Sequence, residues 1–418
     1  MRTILHIDMN SYFATVEQQA NPRLRGKPIG VTGGDRMPAS PDEQTSRGGK
    51  RTVLGAASVE AKKFGVKTGM AIWQAQKLCP QIILVSGDSD KYLVCTKRFL
   101  NILKDYSPDL EVFSIDECFL EFKIQNSEFK AIETAKEIKT RIRKEIGEYI
   151  TCSIGISYNK LMAKLAGSLQ KPDGLIIIPD QQIAIKVLDK IELDEICGIG
   201  GRIKKRLFNL GITNFKQLRA VPVEALLASF KSYGQTLFNM SRGIDYSPII
   251  PFYEKEEVKS IGHRHTINHD TSDVVEIKQV LLKLTELVAR RLRAKKLVGK
   301  TVSCWYRSAD FKGSGMQITI AYTFDGLEVF KAGWKIFLQI WDGEKIRMIG
   351  VSVSNLKPQN PENLTFLEDQ NRQQKIIRTL DKINDKYGEF TLQRGVLLQS
   401  AKITRKPNPF LSDRRFKL

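Results

Sequence analysis

The order of strand-like and helix-like segments up to residue 157 restricts the fold of this chain more than any other feature. An apolar strand at Ile4–Ile7 is followed by a helical pattern after Leu93 and by the stretches LEVFS and ECFLEF, which pair naturally as a hairpin. Residues 127–147 space their apolar side chains as an amphipathic helix does, and TCSIGIS at 151–157 has the composition of a strand. This β-α-β-β-α-β order predicts an α+β fold with a ferredoxin-like sheet that carries helices on one face.

Two adjacent carboxylates, Asp116 and Glu117, interrupt the apolar stretch FSIDECFLEF. Because a buried carboxylate normally protonates or finds a partner, the two are either solvated at a hairpin tip or neutralised by a cation. In the predicted sheet the first strand lies beside the hairpin, so Asp8 at the end of that strand can meet the tip. Three converging carboxylates offer the oxygen ligands that suit Mg²⁺. Two such ions, ~3.5–4 Å apart, serve phosphoryl transfer.

The charge balance indicates a polyanionic partner, with nucleic acid ahead of a membrane surface. The 418 residues include 66 Lys+Arg against 46 Asp+Glu, which gives a formal net charge of +20 and a pI near 9.6. No apolar run approaches the ~20 residues of a bilayer span, and MRTILHIDMN lacks the apolar length of a signal peptide. We therefore expect a cytoplasmic, nucleoid-associated protein without membrane contact.

The cysteines and histidines do not predict a metal site. The six cysteines are scattered without CxxC spacing and mostly have apolar neighbours, which favours reduced core thiols over disulfides or zinc. His263, His265 and His269 are close in sequence, but no fourth ligand is near them.

A Gly-x-Gly turn lies between apolar segments in ICGIGGRIKKRLFNLGI, residues 196–212, and a basic helix follows it. In a helix-hairpin-helix module, the backbone N–H groups of such a turn meet a DNA phosphate, and glycine allows the close approach. The alternative is an ordinary helix C-cap. On the DNA-binding interpretation, Gly198 and Gly200 form the turn, with Lys204 and Lys205 as nearby cations.

A second α+β region follows a predicted linker at 245–259, which contains two prolines and a run of charges. SIGHRHT and KTVSCWYR have the composition of strands on either side of a helix at 273–296, and IRMIGVSVSNL is a later strand. The helix ends in ARRLRAKK, and such a basic end is often a solvated face that complements the helix dipole. The alternative is that it binds duplex phosphates through Arg290, Arg291 and Arg293.

Five motifs occur in a specific order: HIDMNSYFATVE, AKKFGVKTGM, FSIDECFLEF, SIGISYNKLMAKLAGSLQKPDG and CGIGGRIKKRLFNLGI. Together they resemble the Y-family translesion DNA polymerases, and most nearly the bacterial polymerase IV branch. Each motif is weak alone, but the set is highly specific, and the resemblance extends from Met1 to about Leu356. It implies an error-prone, template-directed polymerase that binds primer-template DNA and adds dNTPs to a primer 3′-OH.

The resemblance also implies a domain organisation. The family has a ferredoxin-like palm, small fingers, a helical thumb with the helix-hairpin-helix module and an α+β little finger. The implied bounds are 1–12 and 78–166 for the palm, 13–77 for the fingers, 167–244 for the thumb, 245–259 for the linker, 260–357 for the little finger and 358–418 for a tail.

Asp8, Asp116 and Glu117 match the family's catalytic carboxylates, which hold two Mg²⁺ ions together with the backbone carbonyl that corresponds to Met9. Asn10 departs from the family, because a second Asp is often found at its position. That residue is not generally a metal ligand in the family, so the resemblance implies that the metal site is intact.

The implied nucleotide contacts are Tyr12, Phe13, Lys62 and Lys171. Phe13 matches the steric gate, an aromatic ring that would clash with a ribose 2′-hydroxyl, and Lys171 in QKPDG matches a triphosphate contact. Lys62 stands where the family usually has Arg, and Val59 where it usually has Tyr. Lys keeps the charge but loses the bidentate fork, and Val cannot donate a hydrogen bond, so nucleotide affinity is weaker or other groups supply it.

Residues 34–52, GDRMPASPDEQTSRGGKRT, form a longer link than the family usually has. Their Pro, Ser and Gly content predicts a mobile loop. The candidates for replacing the lost phosphate contacts are Arg47, Lys50 and Arg51.

The tail begins with KPQNPENLTFLED, a polar stretch rich in Pro and Asn, and we expect this stretch to be mobile. Within it, NLTFL resembles the Gln-Leu-x-Leu-Phe pentapeptide by which bacterial polymerases bind the sliding clamp, with Leu364, Phe366 and Leu367 as the contacts. The alternative is a chance apolar cluster. QRGVLL at 393–398 is a second candidate clamp motif.

Two alternatives to a monomeric, self-sufficient polymerase stay open. One is a catalytic subunit like that of DNA polymerase V, which needs an accessory partner; the C-terminal extension allows it, whereas SIGHRHT and QKPDG favour the polymerase IV branch. The other is a catalytically silent DNA-binding scaffold, which the residues at Asn10, Val59 and Lys62 make conceivable.

Overall fold

A computed structural model describes residues 2–33, 53–122, 128–254, 257–359, 368–388 and 390–398. The described residues fall into two compact units, one within 2–254 and the other within 257–398. The strands of the first unit are β1 (Thr3–Met9), β2 (Ile29–Thr32), β3 (Leu54–Ala57), β4 (Ile83–Ser86), β5 (Leu110–Val112), β6 (Glu117–Phe122), β7 (Cys152–Ser157) and β8 (Leu175–Ile178).

Most of the remaining residues of the first unit are helical. Its helices are α1 (Tyr12–Ala20), α2 (Val59–Lys62), α3 (Ile72–Leu78), α4 (Ser89–Lys104), α5 (Glu128–Glu145), α6 (Lys160–Leu169), α7 (Gln181–Leu188), α8 (Gly201–Asn209), α9 (Phe215–Ala220), α10 (Val223–Phe230) and α11 (Ser232–Met240).

The main sheet of the first unit has the predicted ferredoxin-like arrangement. Its strand order is β5-β6-β1-β7-β8, with β1 antiparallel to both β6 and β7 and with β5 and β6 as an antiparallel hairpin. The predicted strands, hairpin and helix α5 are confirmed, and β8 extends the sheet by pairing parallel with β7. In this register Asp8 lies directly opposite Glu117.

The two faces of β1 have different surroundings. Leu5 and Ile7 belong to one buried core with Phe99 of α4 and Ile138 of α5. Since side chains alternate along a strand, His6 and Asp8 point to the opposite face. α6 packs against β1, and its Ala163 shares a small buried cluster on this face with Ile4.

Two further parts complete the first unit. A three-stranded sheet of order β3-β2-β4 packs with α2 and α3 around residues such as Leu54 and Cys79. The helices α7 to α11 enclose a separate core that includes Leu207, Phe215 and Leu237. The sequence did not predict the strands and helices of the small sheet.

The second unit is an antiparallel sheet of order β11-β10-β12-β9 whose core is completed by two helices. The strands and the long helix predicted around SIGHRHT, KTVSCWYR and IRMIGVSVSNL are confirmed, whereas β11 and α13 were not predicted. The elements are β9 (Ser260–Thr271), α12 (Val274–Ala294), β10 (Leu297–Ser308), β11 (Gly313–Thr323), α13 (Gly326–Ile340), β12 (Ile346–Pro358) and α14 (Glu368–Tyr387).

The opening stretch of the tail, which we expect to be mobile, lies largely outside the described residues, and the helix α14 that follows it was not predicted. This helix covers 20 residues of the tail, with Ile377 buried and Asp381 and Asp385 paired with arginines of α12. The polar composition of these residues did not indicate a packed helix, because ion pairs rather than a broad apolar face attach α14 to the second unit.

Five of the six cysteines are buried, and all six are free thiols. Cys197, immediately before the Gly-x-Gly turn, is exposed. Among the described residues, no helix has the length and apolar character needed to span a membrane.

Candidate active site

The structure brings Asp8, Asp116 and Glu117 together at one end of the main sheet. Asp8 is the penultimate residue of β1, Glu117 is the first residue of β6, and Asp116 lies in the turn before it. The backbone N–H of Met9 donates a 2.9 Å hydrogen bond to the carbonyl of Asp116, which joins the end of β1 to the turn. Because the backbone turns here, adjacent carboxylates can face the same site.

The electrostatics of Asp116 indicate a site that attracts cations. Burial, together with the charges of Asp8 and Glu117, raises the pKa of Asp116 to about 6, although Ser114 donates a hydrogen bond to this carboxylate. Like charges this close favour a cation between them, which would lower the cost of keeping all three ionised. The oxygen donors therefore fit a hard divalent metal ion.

His6 and Lys164 hold Glu117, and the sequence analysis assigned neither of them. Nε2 of His6 lies 3.1 Å from Oε2 of Glu117, and the Lys164 ammonium binds the same oxygen. Burial alone would raise the pKa of Glu117, but these contacts outweigh it and lower this pKa to about 2. The carboxylate thus stays ionised, with one of its oxygens bound by two neighbours.

The imidazole of His6 is fixed by its surroundings. It is 2% exposed and packs on the ring of Phe119, with 4.7 Å between the ring centroids. Burial lowers the pKa of His6, which favours a neutral ring that donates from Nε2 to Glu117. A potential metal-binding group in the described part of the chain consists of His6, Asp8 and Glu117, whose ligand atoms lie within 4.8 Å of one another. The position of His6 two residues before Asp8 is the sequence signal that could have identified it.

Two lysines predicted to contact the nucleotide are near the carboxylates. Nζ of Lys171 lies 2.8 Å from Oδ1 of Asp8. Burial lowers the pKa of Lys62, the charge of Lys171 lowers it further, and Asp8 opposes this shift. Lys62, Lys171 and Asp8 therefore share one electrostatic environment. Val59 begins the short helix α2 that contains Lys62.

Phe13 and Tyr12 lie at the start of α1 and are both buried. The ring of Phe13 is stacked on Tyr92, with 4.4 Å between the centroids. The Tyr12 hydroxyl donates to the Tyr92 carbonyl at 2.8 Å and also lies 2.8 Å from the Thr96 hydroxyl. The Tyr12 side chain is thus directed into the core, which leaves its backbone for the predicted nucleotide contact.

Asn10 has a structural role in this part of the fold. Its Nδ2 donates to Thr151 Oγ1 at 3.0 Å, and its Oδ1 accepts a 2.9 Å hydrogen bond from the Ser153 hydroxyl. Both partners are hydroxyl groups, which can donate or accept, so a carboxylate at this position could accept from both of them. Asn10 is 4% exposed and ties the residues after β1 to β7.

The Gly-x-Gly turn has the geometry that the helix-hairpin-helix interpretation requires. Gly198 has a φ of 109°, and a Cβ there would lie 2.6 Å from Met240 Cε. A Cβ at Gly200 would meet open space, so this glycine leaves room for a ligand at the start of α8. Lys204 pairs with Asp194 at 2.7 Å and with Glu192, whereas Lys205 is exposed.

The arginines at the end of α12 make contacts within the second unit. Arg293 binds Asp381 of α14 through Nε at 2.6 Å and Nη2 at 2.8 Å, and Arg290 binds Asp385 at 2.6 Å. Arg291 donates to the Gly262 carbonyl. The ion pairs of Arg290 and Arg293 would have to open before these two side chains could bind phosphate, whereas the contact described for Arg291 is with a backbone carbonyl.

Comparisons with known proteins agree with this architecture. The chain matches the model of the impB/mucB/samB family over residues 7–168 and that of the family's C-terminal domain over residues 258–366. Residues 194–245 match the DNA polymerase-iota thumb domain.

Named relatives cover nearly the whole chain. It is 37% identical over 406 residues to DNA polymerase IV of Pelotomaculum thermopropionicum, a match that covers 96% of this chain and 97% of the relative. It is 31% identical over 418 residues to DNA polymerase IV 1 of Bacillus subtilis, covering 99% and 97%. A solved Y-family DNA polymerase chimera of Dbh and Dpo4 superposes with a TM-score of 0.70 at 25% identity, covering 85% of this chain and 99% of that one.

A ferredoxin-like sheet with three carboxylates at its end and a helical region that matches a polymerase thumb, together with these relatives, identify a nucleic-acid polymerase. The chain belongs to the Y family of translesion DNA polymerases.

Proposed function

We propose that the chain extends a primer 3′-OH with dNTPs at Asp8, Asp116 and Glu117. As a Y-family member it is a DNA-directed DNA polymerase, a nucleotidyltransferase of the translesion type, and polymerases of this family are metal-dependent. The observation that carries the site assignment is the clustering of the three carboxylates, in which burial and then the charges of Asp8 and Glu117 raise the pKa of Asp116 to about 6.

We propose Mg²⁺ as the metal, in two ions held by the three carboxylates and the Met9 carbonyl. Oxygen donors of this kind suit Mg²⁺, which leaves coordination positions for water and substrate phosphates. When bound, the ions would activate the 3′-hydroxyl and neutralise charge at the reacting phosphate. His6 and Lys164 orient Glu117 by binding Oε2, which leaves Oε1 of the carboxylate for the metal.

The nucleotide contacts we propose are Lys62, Lys171, Phe13 and the backbone of Tyr12. The two lysines place positive charge beside Asp8, where a triphosphate would need it. Phe13 would exclude a ribose 2′-hydroxyl, and its stacking on Tyr92 holds the ring in place. Arg47, Lys50 and Arg51, the candidates for replacing the missing phosphate contacts, lie outside the described residues.

The DNA contacts we propose are the turn of Gly198 and Gly200 and the exposed Lys205. The open space at Gly200 supports the approach of a phosphate to the start of α8. We retain the predicted domain bounds: palm 1–12 and 78–166, fingers 13–77, thumb 167–244, linker 245–259 and little finger 260–357.

We also propose that the enzyme binds a sliding clamp. It would act as a monomer and be associated with the nucleoid. The first candidate motif, with Leu364, Phe366 and Leu367, lies outside the described residues. In the second candidate, QRGVLL, Leu397 is buried in the core of the second unit and Leu398 is exposed. The burial of Leu397 favours the first motif, because a docking peptide must free its apolar side chains.

Two observations bear on the alternatives. The relatives with similar length are named DNA polymerase IV, which favours that branch over a polymerase V-like subunit with an accessory partner. The three carboxylates and both lysines cluster at one site, which favours an active enzyme over a silent scaffold.

Primer extension by variants of the carboxylates tests the proposal. We expect Asp116→Asn and Glu117→Gln each to abolish extension while primer-template affinity stays near that of the wild type, because each change removes a metal ligand and no phosphate contact. Glu133→Gln, an exposed carboxylate on α5, is the matched control. Extension by either active-site variant at near the wild-type rate would contradict the site assignment.

A further inference from the structure

The exposed face of α14 carries a line of five cations, here called the cationic stripe. Its members recur every three or four residues, and all five side chains are exposed. On a helix this spacing places them in one arc. From its first to its last member the stripe spans about 21 Å, at 1.5 Å per residue. The members are Arg372, Lys375, Arg378, Lys382 and Lys386.

The acidic residues of the same helical stretch pair with α12. Between residues 372 and 387, the acidic residues are Asp381 and Asp385, and both bind arginines of α12. Asp381 is partly buried, and Ile377 beside it is 7% exposed, whereas the side chain of Asp385 is 67% exposed. Within this stretch both carboxylates thus have partners on the protein, while the five cations are exposed to solvent.

Successive members of the stripe lie three or four residues apart, and like charges at this spacing disfavour a helix. Among the described residues, no carboxylate forms an ion pair with any member of the stripe. The only ring contact described for the stripe places Nζ of Lys386 4.9 Å from the centroid of Tyr387. The stripe therefore presents five charges that this part of the chain leaves available for an external anion.

We propose that the cationic stripe binds the phosphate backbone of DNA. A nucleic-acid backbone is a regular line of negative charges, which matches a straight row of flexible cations better than an isolated anion does. Lysine and arginine contacts of this kind position a protein on DNA without reading sequence. DNA is the polyanion that a polymerase encounters at high local concentration, so α14 would add a contact outside the thumb and the β-sheet of the second unit.

Salt-dependent DNA binding by the full chain tests the stripe. The test variant replaces all five members with Gln. Its matched control replaces five exposed lysines elsewhere with Gln, namely Lys97, Lys136, Lys144, Lys335 and Lys345. A third variant exchanges Arg and Lys at all five stripe positions and keeps the charge.

We expect neutralisation of the stripe to weaken binding about tenfold or more near 150 mM salt and to reduce the slope of log K against log salt by about two to four units. The charge-conserving variant should bind as the wild type does, and the scattered control should change affinity less than twofold. Separate measurements with a single strand and a blunt duplex identify which form binds the stripe. Equal slopes for wild type and neutralised stripe would overturn the proposal, as would an equal loss in the scattered control. Unchanged DNA affinity with loss of clamp stimulation would also overturn it and indicate an acidic protein surface as the partner.

Discussion

Glu117 shows how single residues set the chemistry of the site. Its Oε2 atom is bound by both His6 and Lys164, so the orientation of the carboxylate is determined by two side chains from β1 and α6. Outer groups of this kind orient the ligands of a metal and tune their basicity. His6 itself has little freedom, because Phe119 packs on its ring and Gly167 lies so close that a Cβ there would be 3.1 Å from Nδ1.

The first residue-scale prediction concerns His6. We expect His6→Leu to slow single-turnover incorporation about 10–100-fold and to raise the divalent-ion concentration for half-maximal rate, with little change in dNTP affinity. His6→Gln places an amide near the position of Nε2 and should recover part of the lost rate. A purely structural role would affect both variants alike and leave the metal titration unchanged, and that result would contradict a positioning role.

The second residue-scale prediction concerns Phe13. If its ring excludes the 2′-hydroxyl, Phe13→Ala should raise ribonucleotide incorporation by orders of magnitude while much of the dNTP activity persists. Truncating a buried Phe costs about 3–5 kcal/mol, so the thermal midpoint must be measured as well. Phe13→Leu retains most of the volume and serves as the control for folding. Unchanged sugar selectivity in single-nucleotide incorporation would refute the gate.

At the scale of elements, the sequence predicted what depends on local periodicity. β1, the β5–β6 hairpin, α5 and β7 follow from apolar spacing, and their order then brought Asp8 to Glu117. The sheet of β2, β3 and β4 could not be predicted in this way, because each strand has only four residues and β2 and β4 pair in parallel across about fifty residues of chain. The contact of Lys164 with Glu117 could not be predicted for a related reason, since only the packing of α6 against β1 brings the two residues together.

The ion pair of Arg293 with Asp381, which attaches α14 to α12, provides an element-scale prediction. The side chain of Arg293 is 12% exposed and that of Asp381 is 22% exposed. Asp381→Asn leaves a largely buried guanidinium without its carboxylate, so we expect a loss of about 2 kcal/mol. Lys331 and Glu328, 62% and 50% exposed, form a surface pair in the same unit, so Glu328→Gln should cost less than about 1 kcal/mol and serves as the control. Urea unfolding followed in the second unit distinguishes the two variants, and equal losses would contradict the assigned role of burial.

At the scale of the whole molecule, the cationic side chains include some that pair with carboxylates of the protein and others that are exposed to solvent. Several cations are committed to internal partners, such as Lys164 to Glu117 and Arg293 to Asp381. Others, such as Lys205 and the cationic stripe of α14, are exposed in separate units of the chain. A net charge of +20 in such a distribution favours several weak contacts along a polyanion over one deep anion site.

Salt titration of the intact protein tests this view of the molecule. A protein that neutralises about six phosphates loses roughly a thousandfold in duplex affinity between 50 and 200 mM salt, because each contact releases a condensed counterion. We expect a loss of this size for the wild type, measured by fluorescence anisotropy with a labelled primer-template. Glu117→Gln should show the same slope, since it changes the metal site and leaves the phosphate contacts in place. A flat titration would mean that the basic excess serves something other than DNA, and a slope that changes in Glu117→Gln would mean that the carboxylate site takes part in binding DNA as well as in catalysis.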